Sequence, residues 1–237
     1  MHRYKRQEPW SYSLGTAVTI ELLAYQPEVV TRVWLSSQLR DSSKLTEACH
    51  HLSLPCQIND KAIATLSPKG NCFAIGQFEK YYSTLGSSSQ ILLVNPSDAG
   101  NLGTIIRTAV GFGIKDIGII EPAVDYFDPK VIRASMGAIF QTRIESFASF
   151  DNYQARFPGH TKYPFMLGAN QSLDSVVSAG PHTLIFGNEA TGLPDDYAEI
   201  GQPVVIEHSQ EIDSLNLPIA VAIALYAFSD KASVLDS

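Results

Sequence analysis

Four short apolar runs constrain this chain more than any other feature: Ile91–Val94, Ile117–Ile120, Thr183–Phe186 and Pro203–Ile206. Each is rich in Ile, Leu or Val, and none alternates with polar residues. A strand covered on one face alternates, whereas a strand covered on both faces is apolar throughout. Helical patterns separate several of the runs. The expected class is therefore α/β with a mostly parallel sheet. In such sheets ligands gather beyond the carboxyl ends of the strands. The segments that follow each run are the place to look for chemistry.

A chain of 237 residues suits one large domain or two small ones. Residues 1–90 carry 9 basic and 7 acidic side chains, while residues 91–237 carry 8 and 17. The step falls at the polar stretch Thr84–Gln90, whose Gly and Ser residues read as a linker. The expected division is a first domain at 1–84, a linker at 85–90 and a second domain at 91–237. The first part mixes helices at Thr19–Tyr25 and Ser43–Leu52 with strands at Arg32–Leu35 and Asn71–Phe78, a small α/β unit.

The net charge of −7 excludes nucleic-acid binding through overall positive charge, so any such contact needs a local patch. No apolar run reaches the roughly 18 residues of a membrane span, so no membrane is expected. The N-terminal MHRYKRQEPWSYS lacks the apolar core of a secretory signal. Cys49, Cys56 and Cys72 are odd in number and read as reduced thiols in a cytoplasmic protein.

Three loops after strands hold the unusual residues. The first, Asn95–Ala109, passes into a helix whose core face is Leu102, Ile105, Ile106, Ala109 and Val110. Arg107 lies about 200° around that helix from Ile105 and points away from the core. Gly103 and Gly111 sit four residues to either side and are read onto the same stripe. The second loop, Gly187-Asn188-Glu189-Ala190-Thr191-Gly192-Leu193-Pro194, brackets a carboxylate with glycines, and Pro194 is placed in the first turn of a helix. The third, Ile212–Tyr226, opens a helix apolar nearly all round and so expected to be buried, with Asn216 as a buried amide and Asp213 or Ser214 as its cap. Taken singly, each loop has an ordinary reading as a capped turn or a solvated helix face. All three in order after strands do not.

Other chemistries lack support. Gly111-Phe112-Gly113 is followed by Asp116 where a dinucleotide fingerprint needs a third glycine. Cys49, His50, His51 and Cys56 lack paired zinc spacing, so no metal is expected. No Gly-x-Ser-x-Gly elbow occurs.

The ordered set NPSDAGNLGTIIRTAVGFG, IFGNEATGL and IDSLNLPIAVAIALY resembles the three motifs of the SpoU/TrmH class of RNA ribose methyltransferases. The resemblance covers residues 91 to about 230, and the first part is similar to the L30e-like substrate-binding domain often fused ahead of such enzymes. It implies a SPOUT-type parallel sheet with a C-terminal deep trefoil knot, a homodimer, S-adenosylmethionine as cofactor, and methylation of a ribose 2′-hydroxyl in tRNA or rRNA. By position it implies catalytic roles for Arg107, Asn101, Glu189, Ser214 and Asn216. It implies cofactor contacts at Leu167, Gly168, Gly187, Asn188, Gly192, Ile206 and Leu215. Pro218 departs from the Ser or Ala usual there. RNA contacts are expected at Arg3, Lys5, Arg6 and Arg133, with Arg32, Arg40, Lys130 and Arg143 as further candidates. A guanidinium is a poor base, with a pKa above about 12, which favours a charged clamp over a deprotonated base at Arg107. The rival reading is a non-catalytic RNA-binding protein with a degenerate transferase domain.

Overall fold

The computed structural model describes residues 2–67, 70–177 and 180–229. The chain divides into two compact units, 1–81 with 125–141, and 82–124 with 142–237. The expected division differs from this in two respects: the stretch 125–141, assigned by sequence to the second domain, folds with the first, and residues 82–90, read as the end of the first domain and a linker, belong to the second unit.

The first unit is a four-stranded sheet with helices. Its elements are β1 (Trp10–Leu14), α1 (Thr16–Tyr25), β2 (Val30–Leu35), α2 (Ser43–His51), β3 (Cys56–Ile58), α3 (Asp60–Leu66) and β4 (Ala74–Glu79). The strand order is β1-β4-β2-β3; β4 runs antiparallel to both neighbours and β3 parallel to β2. Tyr12, Trp34, Ile63, Leu66 and Ile75 form one core of this unit. The 125–141 stretch completes it. Phe78 is fully buried, with its ring 6.0 Å from Phe127 and 5.4 Å, edge-on, from Phe140. Ser11 donates to the Phe127 carbonyl, Tyr4 donates to Asp125, and Lys80 Nζ lies 3.3 Å from the same carboxylate. Aromatic burial of this kind contributes about 2–3 kcal/mol per ring. That is reason enough for the stretch to leave the second unit, which its sequence position alone does not reveal.

The second unit contains β5 (Gln90–Val94), α4 (Ala99–Gly111) and β6 (Asp116–Ile120). The chain then visits the first unit through α5 (Pro129–Ala134) and a 3-10 turn at Ala138–Gln141. It returns as β7 (Arg143–Phe147), α6 (Phe150–Arg156), β8 (Thr161–Pro164), β9 (Gln171–Ser172), β10 (His182–Phe186), β11 (Val204–Val205) and α7 (Leu217–Phe228). The main sheet has the order β7-β6-β5-β10-β8, with every neighbouring pair parallel. Its three central strands are the first three apolar runs, buried at every position.

The fourth run is a correction. It forms only Val204–Val205, which pairs with β9 in a separate two-stranded sheet and reaches the main sheet's edge through a bridge from Val204 to Phe165. The edge strands β7 and β8 escaped the pattern because Arg143, Glu145, Lys162 and Pro164 interrupt their apolar character. Proline is tolerated at a sheet edge. Lys162 is buried and donates to the carbonyls of Phe157 at 3.1 Å and His160 at 3.0 Å.

The Gly/Ser stretch read as a linker is instead strapped to the second unit. Ser83 exchanges bonds with the Ile144 backbone, Leu85 N–H donates to Glu145 at 2.9 Å, and Gly86 N–H donates to Asp116 at 3.1 Å. Asp116 also takes a two-pronged bond from Arg143, 2.6 Å and 2.7 Å. Arg143 is thereby committed to structure, against its candidacy for RNA.

Two histidines close this end of the sheet. His160 Nε2 lies 3.2 Å from the Ser87 carbonyl and must donate, leaving Nδ1 to accept from Thr183 at 3.1 Å. His182 Nδ1 lies 3.1 Å from Ser89 Oγ and 3.2 Å from the Gly180 carbonyl. Burial first, then Lys162 near His160 and His160 near His182, hold both below the ordinary 6.5. Below that value the folded chain binds fewer protons than the unfolded one, so stability present above it is lost as pH falls. The expected outcome is a urea midpoint that declines from about pH 7 to pH 5.5. His182→Gln is expected to flatten that decline.

Candidate active site

The strands β5 and β10 end side by side, and the loops that follow them are locked together by one carboxylate. Glu189 Oε2 accepts from Ser97 Oγ at 2.8 Å and Ser97 N–H at 3.1 Å. Its Oε1 accepts from Asp98 N–H at 3.2 Å and Asn101 Nδ2 at 3.4 Å. Partial burial by itself raises this carboxyl. The bonds from its own N–H, from Ser97 and from Asp98 outweigh burial and hold it below the ordinary glutamate range. The negative charge also sits at the amino end of α4, where the helix dipole favours it. Asp98 caps the same helix, accepting from Asn101 N–H at 2.8 Å. Asn101 and Glu189 are therefore brought together at the start of α4.

Asn188 shapes the second loop. Its carbonyl Oδ1 accepts from Ala190 N–H at 2.9 Å and Thr191 N–H at 3.3 Å, and its Nδ2 donates to the Asn95 carbonyl at 2.8 Å. Its backbone exchanges bonds with Gly192, at 3.2 Å and 2.9 Å. Gly192 turns the chain with φ +69°. The loop closes so tightly that a Cβ on Gly187 would lie 2.1 Å from the Gly192 carbonyl carbon. Pro194 caps a 3-10 turn at Asp195–Glu199 where a helix was expected.

Arg107 projects from the exposed face of α4. Among the described residues no hydrogen bond or ion pair engages it. Of the two glycines on its stripe, Gly103 is buried and Gly111 exposed, so the stripe is covered at one end and open at the other.

Three chain segments meet at the carboxyl edge. Phe165 N–H donates to Ile185 at 2.9 Å, Met166 N–H donates to Val204 at 3.0 Å, and the Phe165 and Phe186 rings stack at 4.5 Å. Leu167 and Gly168, Gly187 to Gly192, and Ile206 thus leave neighbouring strand ends. Leu167 is 63% exposed, and a Cβ on Gly168 would meet nothing within 4 Å. Apolar side chains with backbone donors and open space suit a nucleoside-type ligand.

The third loop differs from expectation. Asn216 is exposed, not buried, and itself caps α7, its carbonyl accepting from Ile219 and Ala220 at 3.0 Å each. Ser214 is exposed and Leu215 half-buried. Among the described residues no hydrogen bond links the side chains of Ser214 or Asn216 to Glu189 or Arg107. Pro218 falls in the first turn, buried, as proline permits. The helix is not buried all round: Ile219, Ile223 and Tyr226 are 52%, 38% and 58% exposed along one stripe.

Arg3, Lys5, Arg6 and Arg133 all belong to the first unit. Arg3 Nε donates to the Thr65 carbonyl at 3.4 Å, and Arg133 donates to Asn71 Oδ1 at 2.6 Å. Sequence reasoning missed Ser97 and Asp98 as partners of Glu189. The signal for Asp98 was available, as an acidic residue just ahead of a helical run.

The profile described as the SpoU rRNA Methylase family matches residues 88–226, and the chain belongs to that family. It is 28% identical over 189 residues to an uncharacterized tRNA/rRNA methyltransferase of Synechocystis sp., covering 77% of this chain and 68% of that one. It is 30% identical over 145 residues to the 23S rRNA (uridine(2479)-2'-O)-methyltransferase of Streptomyces viridochromogenes, 57% of this chain and 50% of the relative's length. An AdoMet-bound rRNA methyltransferase from Sinorhizobium meliloti superposes with a TM-score of 0.78 at 26% identity, over 92% of this chain and 86% of that one.

The Gly187 crossing yields a contrast. Gly187→Ala is expected to fail to fold or to melt far below the native protein, because backbone blocks the methyl group. Gly168→Ala, facing open space, is expected to keep the native melting temperature. Equal melting of the two variants would count against the tight crossing.

Proposed function

We propose that the protein transfers the methyl group of S-adenosylmethionine to a ribose 2′-hydroxyl of tRNA or rRNA, in the cytoplasm. The observation that carries this reading is Arg107, without a hydrogen bond or ion pair among the described residues, on a helix whose start is held by the second loop through Glu189. Family membership supports RNA methylation, and the Streptomyces relative supports the 2′-oxygen as its target.

S-adenosylmethionine supplies an electrophilic methyl group with a neutral thioether as leaving group. Leu167, Gly168, Gly187, Asn188, Gly192, Ile206 and Leu215 are the residues that would hold it, mainly through backbone groups and apolar contact. Glu189 is unsuited to proton abstraction: its oxygens are occupied by donors and its carboxyl is held acidic. It positions Arg107 by fixing the amino end of α4. Arg107 remains charged, holds the phosphate beside the target ribose and stabilises the charge growing on the 2′-oxygen. The ribose proton passes to solvent. Ser214 and Asn216, exposed ahead of α7, are placed to contact the RNA.

The first unit, read as L30e-like, selects the RNA through Arg3, Lys5, Arg6 and Arg133. The same reading includes the trefoil knot. It also includes a homodimer, supported by the apolar stripe Ile219, Ile223 and Tyr226.

Arg107→Ala is expected to lower labelled methyl transfer to RNA from gene-deleted cells by at least about 100-fold. Calorimetry with S-adenosylhomocysteine should show cofactor affinity nearly unchanged. Retained transfer sinks the assignment; loss of cofactor binding as well sinks the clamp role. An unmutated protein that binds RNA but neither cofactor favours the non-catalytic reading. Light scattering should give twice the chain mass for the native protein and a monomer for Ile223→Glu. A native monomer overturns the dimer.

A further inference from the structure

Asn95 opens the first of the three motifs with no role assigned to it there, and from its bonding we propose that it is a positioning residue for the transfer reaction. The proposal deepens the methyltransferase reading and rests on it.

Asn95 is the first residue beyond β5 and one of few described non-glycine residues with a left-handed backbone, φ +53°. Asparagine tolerates this conformation better than most side chains. Its backbone N–H donates to the Ile120 carbonyl at 3.0 Å, and its Nδ2 reaches the carbonyls of Ile120 at 3.4 Å and Pro122 at 3.3 Å. Its own carbonyl accepts from Asn188 Nδ2 at 2.8 Å. The next carbonyl, that of buried Pro96, accepts from Val124 N–H at 2.8 Å. One residue thus joins three strand exits: its own, that of β6 and that of β10.

The chemistry of these partners explains why an amide is needed. Ile120 and Pro122 present only carbonyl oxygens to the side chain, so the group between them must donate. The left-handed turn then aims the Asn95 carbonyl at Asn188, the residue that folds the 188–192 loop with its Oδ1. Glu189 follows directly and holds Ser97, Asp98 and Asn101. Asn95 therefore sets the place of the second loop relative to the helix that carries Arg107. It touches neither the ribose nor the cofactor in this role, and acts through Asn188 and Glu189.

Two variants separate backbone from side chain. Asn95→Gly keeps the left-handed turn and removes the donor; Asn95→Asp keeps the size and turns an acceptor toward two carbonyls. Hydrogen exchange read by mass spectrometry tests placement without any catalysis. Peptides spanning 188–192 should exchange about tenfold faster in both variants, with the β10 interior unchanged. Single-turnover methyl transfer to RNA from gene-deleted cells should slow by about ten- to a hundredfold. Affinity for S-adenosylhomocysteine should weaken with the loop in Asn95→Gly, because Asn188 and Gly192 belong to the proposed cofactor set, while the melting temperature should fall little. A purely structural role predicts parallel losses in melting temperature and in both readouts, and that pattern overturns the proposal. Unchanged exchange at 188–192 overturns it too, as does a native single-turnover rate. If the unmutated protein transfers no methyl group to RNA, the methyltransferase reading fails, and the exchange result alone decides whether Asn95 positions the loop.

Discussion

A carboxylate surrounded by donors is the hinge of this structure. Glu189 reaches from the loop after β10 to the first turn of α4, two segments about ninety residues apart in sequence, and its charge meets N–H groups that have no helical partner. Without such an acceptor the start of α4 would carry orphan donors beside a second carboxylate, Asp98. With it, the two loops become one surface, and the direction of α4 fixes where Arg107 emerges. The tight turn at Gly187 and Gly192 follows from the same demand, since the carboxylate reaches Ser97 only if the loop doubles back at once.

The charge distribution gives that one arginine its weight. The second unit is strongly acidic, and most of its cations are already engaged. Arg143 is bound to Asp116, Arg156 is paired with Glu145 and lies over the rings of Phe147 and Phe157, and Lys162 is buried against carbonyls. Among the described residues of that unit, Arg107 and Lys115 are the cations left without such a partner. A polyanion brought to this surface meets little general attraction and a local one, an arrangement that favours placement over adhesion.

Much of this was legible in the sequence, for physical reasons that can be named. The central strands β5, β6 and β10 are covered on both faces, so their composition declares them. The edge strands β7 and β8 are not, and Lys162 looks like a surface residue until its carbonyl partners are seen. The exposure along α7 was not legible because hydropathy does not say which apolar face the fold covers; Ile219, Ile223 and Tyr226 stay exposed. The order of the three loops singled out the candidate site, with Arg107 and Glu189 at its first and second loops. What Glu189 does was not legible, because its donors come from a loop whose distance in sequence carries no pairing signal. The misplaced stretch 125–141 has a similar cause: Phe127 and Phe140 read as core residues, but nothing in their spacing says whose core.

The route of the chain between the units also sets an order of events during synthesis. The first unit is incomplete when residue 81 leaves the ribosome, because Phe78 still lacks the rings of Phe127 and Phe140, and Ser11 lacks the Phe127 carbonyl. Sixty further residues must be made, roughly 3 to 12 s at ordinary elongation rates of about 5–20 residues per second. During that interval β5, α4 and β6 emerge as a parallel fragment with both outer neighbours still unmade. The nascent chain therefore holds two unfinished sheets at once, and residue 141 releases the first of them before the second can close around β10. A domain taken from this protein as residues 1–84 would lack the rings that pack on Phe78 and the carbonyl that accepts from Ser11.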